Sequence, residues 1–309
     1  MNALVECAMN VSEGRDHAVI RSIQLEIESQ PETRVLDVSS DTDHNRTVIT
    51  FVSTPDRIVA STLEAIRKTI ELVSLVSHRG VHPRIGAADV IPFVPLQGLT
   101  LADCAQLAVS LGNQVWKRLS VPVYFYGAAA FLPARRELSA IRRGGFEMLR
   151  ETVSVDPTRR PDVGLCSLHA TAGACAIGAR GPLIAFNVEL VDGDLQIARQ
   201  VARKIREGEG GLQGVRALGF FLESRGRSQV STNLLDYRKT SLKTLFRRIA
   251  SEARALGALH FQSEVVGLVP LRALDRQIAE EILLPGFGPH QLLESRILEV
   301  LGKPLEQDL

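Results

Sequence analysis

Short apolar runs and amphipathic stripes follow one another along this chain in an order that occurs twice. Leu4 to Val11 reads as a strand. Asp16 to Glu28 reads as an amphipathic helix with one apolar face. Arg34 to Val38 and Arg46 to Val52 read as strands on either side of a polar loop, Ser39 to Asn45. The second of them is rich in the Thr, Val, Ile and Phe that suit a pleated, half-buried surface. Pro55 to Leu75 is a long helical pattern with Pro in its first turn, and Ala88 to Leu96 is a strand again. The order is βαββαβ.

The same order returns from Leu183. Leu183 to Leu190 reads as a strand and Asp194 to Glu207 as a helix. Gly214 to Leu222 and Ser228 to Asp236 are strands, Thr240 to Leu256 is a helix, and Glu264 to Leu271 is a strand. Short echoes support the match. Ala8-Met9-Asn10-Val11 parallels Ala185-Phe186-Asn187-Val188, and Asp89 to Leu99 parallels Glu264 to Leu274. Asn10 and Pro95 lie 85 positions apart, Asn187 and Pro270 lie 83 apart. Two weak motifs kept at one separation indicate a duplication.

The predicted fold is therefore α+β, an α/β sandwich of tandem ferredoxin-like βαββαβ units. Mixed or antiparallel sheets would face each other across a ligand channel, with domains at 1–180 and 181–309. The first unit carries an extension: a helix from Leu101 to Leu119, a strand from Val121 to Tyr126 and a helix from Arg135 to Arg150. Thr158 to Arg180, rich in Gly, Ala and Ser, reads as the connection between units, and Gln291 to Leu301 as a closing helix.

Composition narrows the possibilities. A chain of 309 residues, 45% hydrophobic and 23% charged with net charge +1, has ample core and no basic face for non-specific nucleic-acid binding. No apolar run is long enough to cross a bilayer, and the first residues do not form a secretory signal. Cys7, Cys104, Cys166 and Cys175 form no CxxC pair, which fits a reducing, cytoplasmic setting.

The chemistry concentrates in Ser77 to Phe93, where two His, two Arg, Gly80 and Pro83 precede an apolar strand. Pro83 restricts His82 to extended backbone, so the imidazole sits at a strand mouth as a candidate acid and base. Arg79 and Arg84 suit a carboxylate or developing negative charge. His78 lies four residues before His82, but Gly80 intervenes and the Glu of HExxH is absent, so no metal is expected. The loop from Asp37 through Asp41, Asp43 and His44 could orient His82 through a carboxylate, or form a polar turn. For Asp37 and Asp41 the two readings stand level, and for Asp43 and His44 the turn is preferred. Asn10 is a candidate substrate contact. Gly164 to Gly178 lacks the Lys and spacing of a phosphate loop, and no GxSxG elbow supports an acyl-enzyme. Its small residues suit either a flexible linker or close backbone approach to a flat ligand.

Taken together, these segments resemble the glutamate formimidoyltransferase family. The resemblance runs from Val5-Glu6-Cys7, Asn10 and Ser12-Glu13-Gly14 through Asn45-Arg46-Thr47-Val48 and His82-Pro83-Arg84-Ile85-Gly86-Ala87 to Val121-Pro122-Val123-Tyr124. It continues in Leu183 to Asn187, Gln229 to Asp236 and Val266 to Leu271. It implies N- and C-terminal formiminotransferase subdomains and transfer of the formimino group from N-formimino-L-glutamate to N5 of tetrahydrofolate, the folate co-substrate, in histidine degradation. The family's catalytic His falls on His82. Its catalytic carboxylate position is held here by Ser39, which turns attention to Asp37 or Asp41. The family's folate-binding segment falls on Gly164, Leu165, Cys166, Ser167, Leu168, His169, Ala170, Thr171, Ala172 and Gly173, with Asn10, Arg46 and Arg84 as substrate-binding candidates. A homodimer is expected on resemblance alone. The cyclodeaminase domain fused to animal members is not expected here. Glutamate-linked transfer involving 5-formyl-tetrahydrofolate, or a non-catalytic folate-binding protein, are the competing readings.

Overall fold

The computed structural model describes residues 3–305, which form two compact units, one up to Arg180 and one from Gly181 onward. In the first unit the order is β1 (Leu4–Val11), α1 (His17–Glu28), β2 (Arg34–Asp41), β3 (Arg46–Ser53), α2 (Pro55–Leu72), β4 (Ala88–Gln97), α3 (Leu101–Leu119), β5 (Val123–Gly127), α4 (Leu138–Arg142), α5 (Gly145–Thr152) and β6 (Cys175–Ala179). The strands form one sheet in the order β2-β3-β1-β4-β6-β5. The first four pair antiparallel in the ferredoxin-like arrangement, and β4, β6 and β5 are parallel.

The second unit contains β7 (Ile184–Leu190), α6 (Leu195–Ile205), β8 (Val215–Leu222), β9 (Arg227–Leu234), α7 (Leu242–Arg254), β10 (Phe261–Val266), α8 (Arg276–Glu281) and α9 (Leu293–Leu301). Its antiparallel sheet runs β10-β7-β9-β8, the same order as β4-β1-β3-β2. The duplication therefore exists as backbone topology. Each unit has its own core. Cys7, Met9, Ile49, Phe51 and Phe93 pack under α1, α2 and α3 in one, and Phe186, Val188 and Val230 pack under α6 and α7 in the other.

In the first unit, α4 and α5 cover part of the opposite sheet face, where Val90, Tyr124, Tyr126 and Ala176 pack with Ile141 and Leu149. Alternation places Asp37, Ser39 and Asp41 of β2 beside Thr50, Val48 and Arg46 of β3 on this helix-poor face. Ala8 and Asn10 of β1 continue the rows. The candidate residues thus share a face because they sit at every second position.

Several expectations change. Thr158 to Arg180 is not a simple connection, because its Cys175–Ala179 stretch is the fully buried β6, inserted between β4 and β5. The helix expected over Arg135 to Arg150 is broken into α4 and α5 at Gly144 and Gly145, both at positive φ. The polar loop after β2 shrinks, since β2 runs to Asp41. The strand expected to reach Leu271 stops at Val266, before Gly267 at φ +76°.

Candidate active site

Three segments meet around His82, and backbone contacts drive the meeting. The loop before β4 is zipped to the β2–β3 turn. Val81 N–H donates to Asp43 O (3.1 Å), Asn45 Nδ2 donates to Arg79 O (2.9 Å), and His78 Nε2 lies 2.8 Å from Asn45 O. Gly80 matters because a Cβ there would lie 2.2 Å from His44 O. The need is close approach. Gly14 plays the same part opposite Asp41 O, and Asn45, at φ +47°, accepts from Gly14 N–H (2.9 Å). The N-cap of α1 is Asp16, which leaves Ser12 free to act elsewhere. Ser12 Oγ donates to Gly86 O (2.7 Å), pinning the strand mouth.

His82 is half-buried at this junction. Its Nδ1 lies 2.9 Å from Pro83 O. A carbonyl only accepts, so Nδ1 carries the proton and Nε2 presents the lone pair. Pro83 O therefore sets the tautomer. Arg46 Nη1 donates to Nε2 at 2.6 Å. Burial, followed by the Arg46, Arg142 and His44 charges, holds the imidazole well below its ordinary pKa, against the opposing Pro83 contact. The neutral form is therefore the resting form. Arg46 is itself held down to about 10, by burial first and then by Arg142, against the pull of Asp89 and Asp41.

Asp41 Oδ1 accepts from His44 N–H (2.7 Å) and faces His44 Nδ1 (2.9 Å), while the His44 ring stands 5.8 Å from that of His82. Asp41 thus joins the cluster next to His44 and Arg46. Asp37 accepts from Ser39 Oγ (2.7 Å) farther along β2. Asn10 Nδ2 donates to Ala8 O (2.9 Å), on the row shared with Val48 and Val90. Arg84 is engaged elsewhere. Its guanidinium forks onto Glu147 (2.8 and 3.0 Å), and its Nε donates to His78 Nδ1 (2.9 Å). His78 is consequently bonded at both ring nitrogens, by Arg84 and Asn45.

The Gly164 to Gly173 segment has two parts. Gly164 to Ser167 is an exposed loop opened by Gly164 at φ +113°. Ala172 and Gly173 are buried and tied to the His82 strand mouth: Ala87 N–H donates to Ala172 O (2.9 Å), and Gly86 bridges Gly173. A Cβ on Gly86 would lie 2.0 Å from Ala174 O, so only glycine permits this approach. His169 Nδ1 accepts from Ala172 N–H (3.0 Å), closing the turn between the two parts. Burial raises the Cys7 and Cys175 thiols and pushes Cys104 up to about 12, which leaves these three protonated and poor as nucleophiles. Among the described residues no group of three His, Cys, Asp or Glu is placed to hold a metal ion.

Two residues of the cluster were not singled out in the sequence. Asp89 is buried at the start of β4. Its Oδ1 accepts from Ile85 N–H (2.8 Å) and Gly86 N–H (3.2 Å), and its Oδ2 accepts from Arg142 Nη2 of α4. Asp89 therefore holds both the strand mouth and a second guanidinium. Its signal was a carboxylate inside an otherwise apolar run. Arg142 had none, since it is one of five arginines from Arg135 to Arg150.

Comparison with known proteins divides the chain near the same junction. Residues 4–180 match the formiminotransferase domain, N-terminal subdomain, and residues 185–280 match the formiminotransferase domain. A glutamate formimidoyltransferase of Thermoplasma acidophilum is 42% identical over 96% of this chain and 97% of its own length. One from Streptococcus pyogenes serotype M1 is 37% identical over 96% of this chain and all of its own. The formimidoyltransferase-cyclodeaminase of Mus musculus is 41% identical over 89% of this chain but only 51% of its own length. This chain belongs to the formiminotransferase family.

Proposed function

We infer that this chain is a glutamate formimidoyltransferase, which moves the formimino group of N-formimino-L-glutamate to N5 of tetrahydrofolate. The products are 5-formimino-tetrahydrofolate and L-glutamate, and the reaction belongs to histidine degradation. The single observation that carries a mechanism is the fixed tautomer of His82, whose Nε2 lone pair is the basic one. N5 attacks the amidine carbon and a C–N bond forms. The N5 proton passes to His82 Nε2. The tetrahedral adduct then breaks its bond to the glutamate nitrogen, which takes the proton back from the imidazolium. One group serves both transfers, and holding the two substrates together supplies much of the remaining acceleration.

In this reading Asp41, beside His44 and Arg46, steadies the charge that forms on His82. Asp37 stands farther along the same face and is the weaker candidate for that role. Asn10 and Arg46 line the amino-acid substrate. Arg84 contributes by holding the His78 to Gly86 loop against Glu147. The pterin of tetrahydrofolate lies along Gly164 to Gly173, whose buried end, Ala172 and Gly173, is bonded to the His82 strand mouth. The two units are proposed as the N- and C-terminal formiminotransferase subdomains, the second with a helical tail. The working form is proposed to be a cytoplasmic homodimer that uses no metal. The test is donor choice. Purified protein should form 5-formimino-tetrahydrofolate from N-formimino-L-glutamate far faster than it uses a formyl donor. Turnover of 5-formyl-tetrahydrofolate with glutamate alone would replace this reading.

A further inference from the structure

We propose that Arg142 and Arg46 form a carboxylate receptor beside His82, and that the arriving carboxylate draws Arg46 off the imidazole. The proposal rests on the formimino-transfer reading for the identity of the ligand, an amino diacid whose nitrogen carries a formimino group. Its evidence is the arrangement of charge. Arg46 spends a guanidinium hydrogen bond on neutral His82 Nε2 at 2.6 Å. The Arg142 charge acts on both Arg46 and His82, so two like charges share one half-buried neighbourhood. Asp89 compensates one of them, but its two oxygens are already committed to Arg142 and to the Ile85 and Gly86 N–H groups. Asp41, the other carboxylate acting on Arg46, faces His44. Among the described residues, Arg142 Nε is the one buried side-chain nitrogen without a hydrogen-bond partner. An unused buried donor beside a second guanidinium is a site short of one anion.

A carboxylate fits this deficit. An ion–ion hydrogen bond from Arg46 is stronger than the bond it makes to a neutral imidazole, so substrate binding displaces Arg46 from Nε2. The base is thereby capped in the free protein and uncovered only when the amino-acid substrate arrives. Arg142, on the short helix α4, selects the acid. Arg46 also links acid binding to the availability of the base.

The test crosses the protein with the ligand. Binding of N-formimino-L-glutamate and of its two monoamides is measured for the wild type and for Arg142→Gln. In the wild type one monoamide should bind about ten- to a hundredfold more weakly than the diacid. In Arg142→Gln that preference should shrink to about a few-fold, the share left to Arg46, while tetrahydrofolate affinity is retained. Unfolding damage would weaken all ligands together and leave the preference in place. An undiminished preference in a variant that still binds tetrahydrofolate normally overturns the proposal. A second readout needs no variant: the ¹⁵N resonance of His82 Nε2 should move when the diacid is added and stay put with the monoamide. An unmoved resonance in diacid-saturated protein overturns it as well. Protein that binds the diacid in this way but transfers nothing would count against formimino transfer and leave the receptor standing.

Discussion

His82 is held by two contacts of opposite meaning. Pro83 O fixes the proton on Nδ1, and Arg46 caps the lone pair on Nε2. The depressed pKa has a signed consequence for stability. Above about pH 6.5, the ordinary value, neither folded nor unfolded His82 binds the proton. Below it the unfolded chain takes up a proton that the folded site refuses, so stability falls as pH drops. His78, also depressed by burial, acts with the same sign. Denaturant titrations between pH 5 and pH 7, a window set by that ordinary value, should show wild type losing stability toward acid and His82→Asn losing less. A parallel pH dependence in the two proteins would contradict the neutral imidazole. The Arg46 charge contributes to the same depression. In Arg46→Gln the acid limb of kcat/KM should therefore move to higher pH, though not back to the ordinary value, because burial is the larger cause. An unmoved limb would remove Arg46 from the electrostatics of the base.

At the level of elements, the site depends on backbones that approach more closely than side chains allow. Gly86 is the sharpest case, with Ala174 O where a Cβ would be. Gly86→Ala should cost about 1–3 kcal/mol of stability, read from the shift of a denaturant midpoint, and should lower turnover by displacing the His82 strand mouth. A fully stable and active variant would show that the approach can relax without consequence. The strands and helices of both repeats were legible because apolar periodicity reports a buried face directly. The β6 strand was not. Cys175-Ala176-Ile177-Gly178-Ala179 offers one strong strand former among small residues, and only pairing between β4 and β5 makes it a strand. His82 and Arg46 were visible from local punctuation and resemblance. Asp89 and Arg142 were not, because their roles arise from a contact across 53 positions of chain.

For the molecule as a whole, the duplicated sheet order means that each unit closes a core of its own. Residues 1–180 produced alone should therefore keep their secondary structure and melt cooperatively by circular dichroism. A featureless melt would mean that the first core is not self-sufficient. The repeat was readable in the sequence because topology tolerates change at most positions, provided the strand and helix periods survive. The chemistry is unequal between the repeats: the second has Asn187 bonded to Glu264 where the first has Asn10 beside Val90. In the proposed mechanism a neutral His82 carries the proton between N5 of tetrahydrofolate and the glutamate nitrogen. Its most direct test is the single-turnover rate of formimino transfer by wild type and His82→Ala, with both substrates saturating. The rate should fall by about 10²–10⁴-fold in a variant that still folds and binds tetrahydrofolate. A rate within a few-fold of wild type would contradict it and move proton transfer to another group of the cluster.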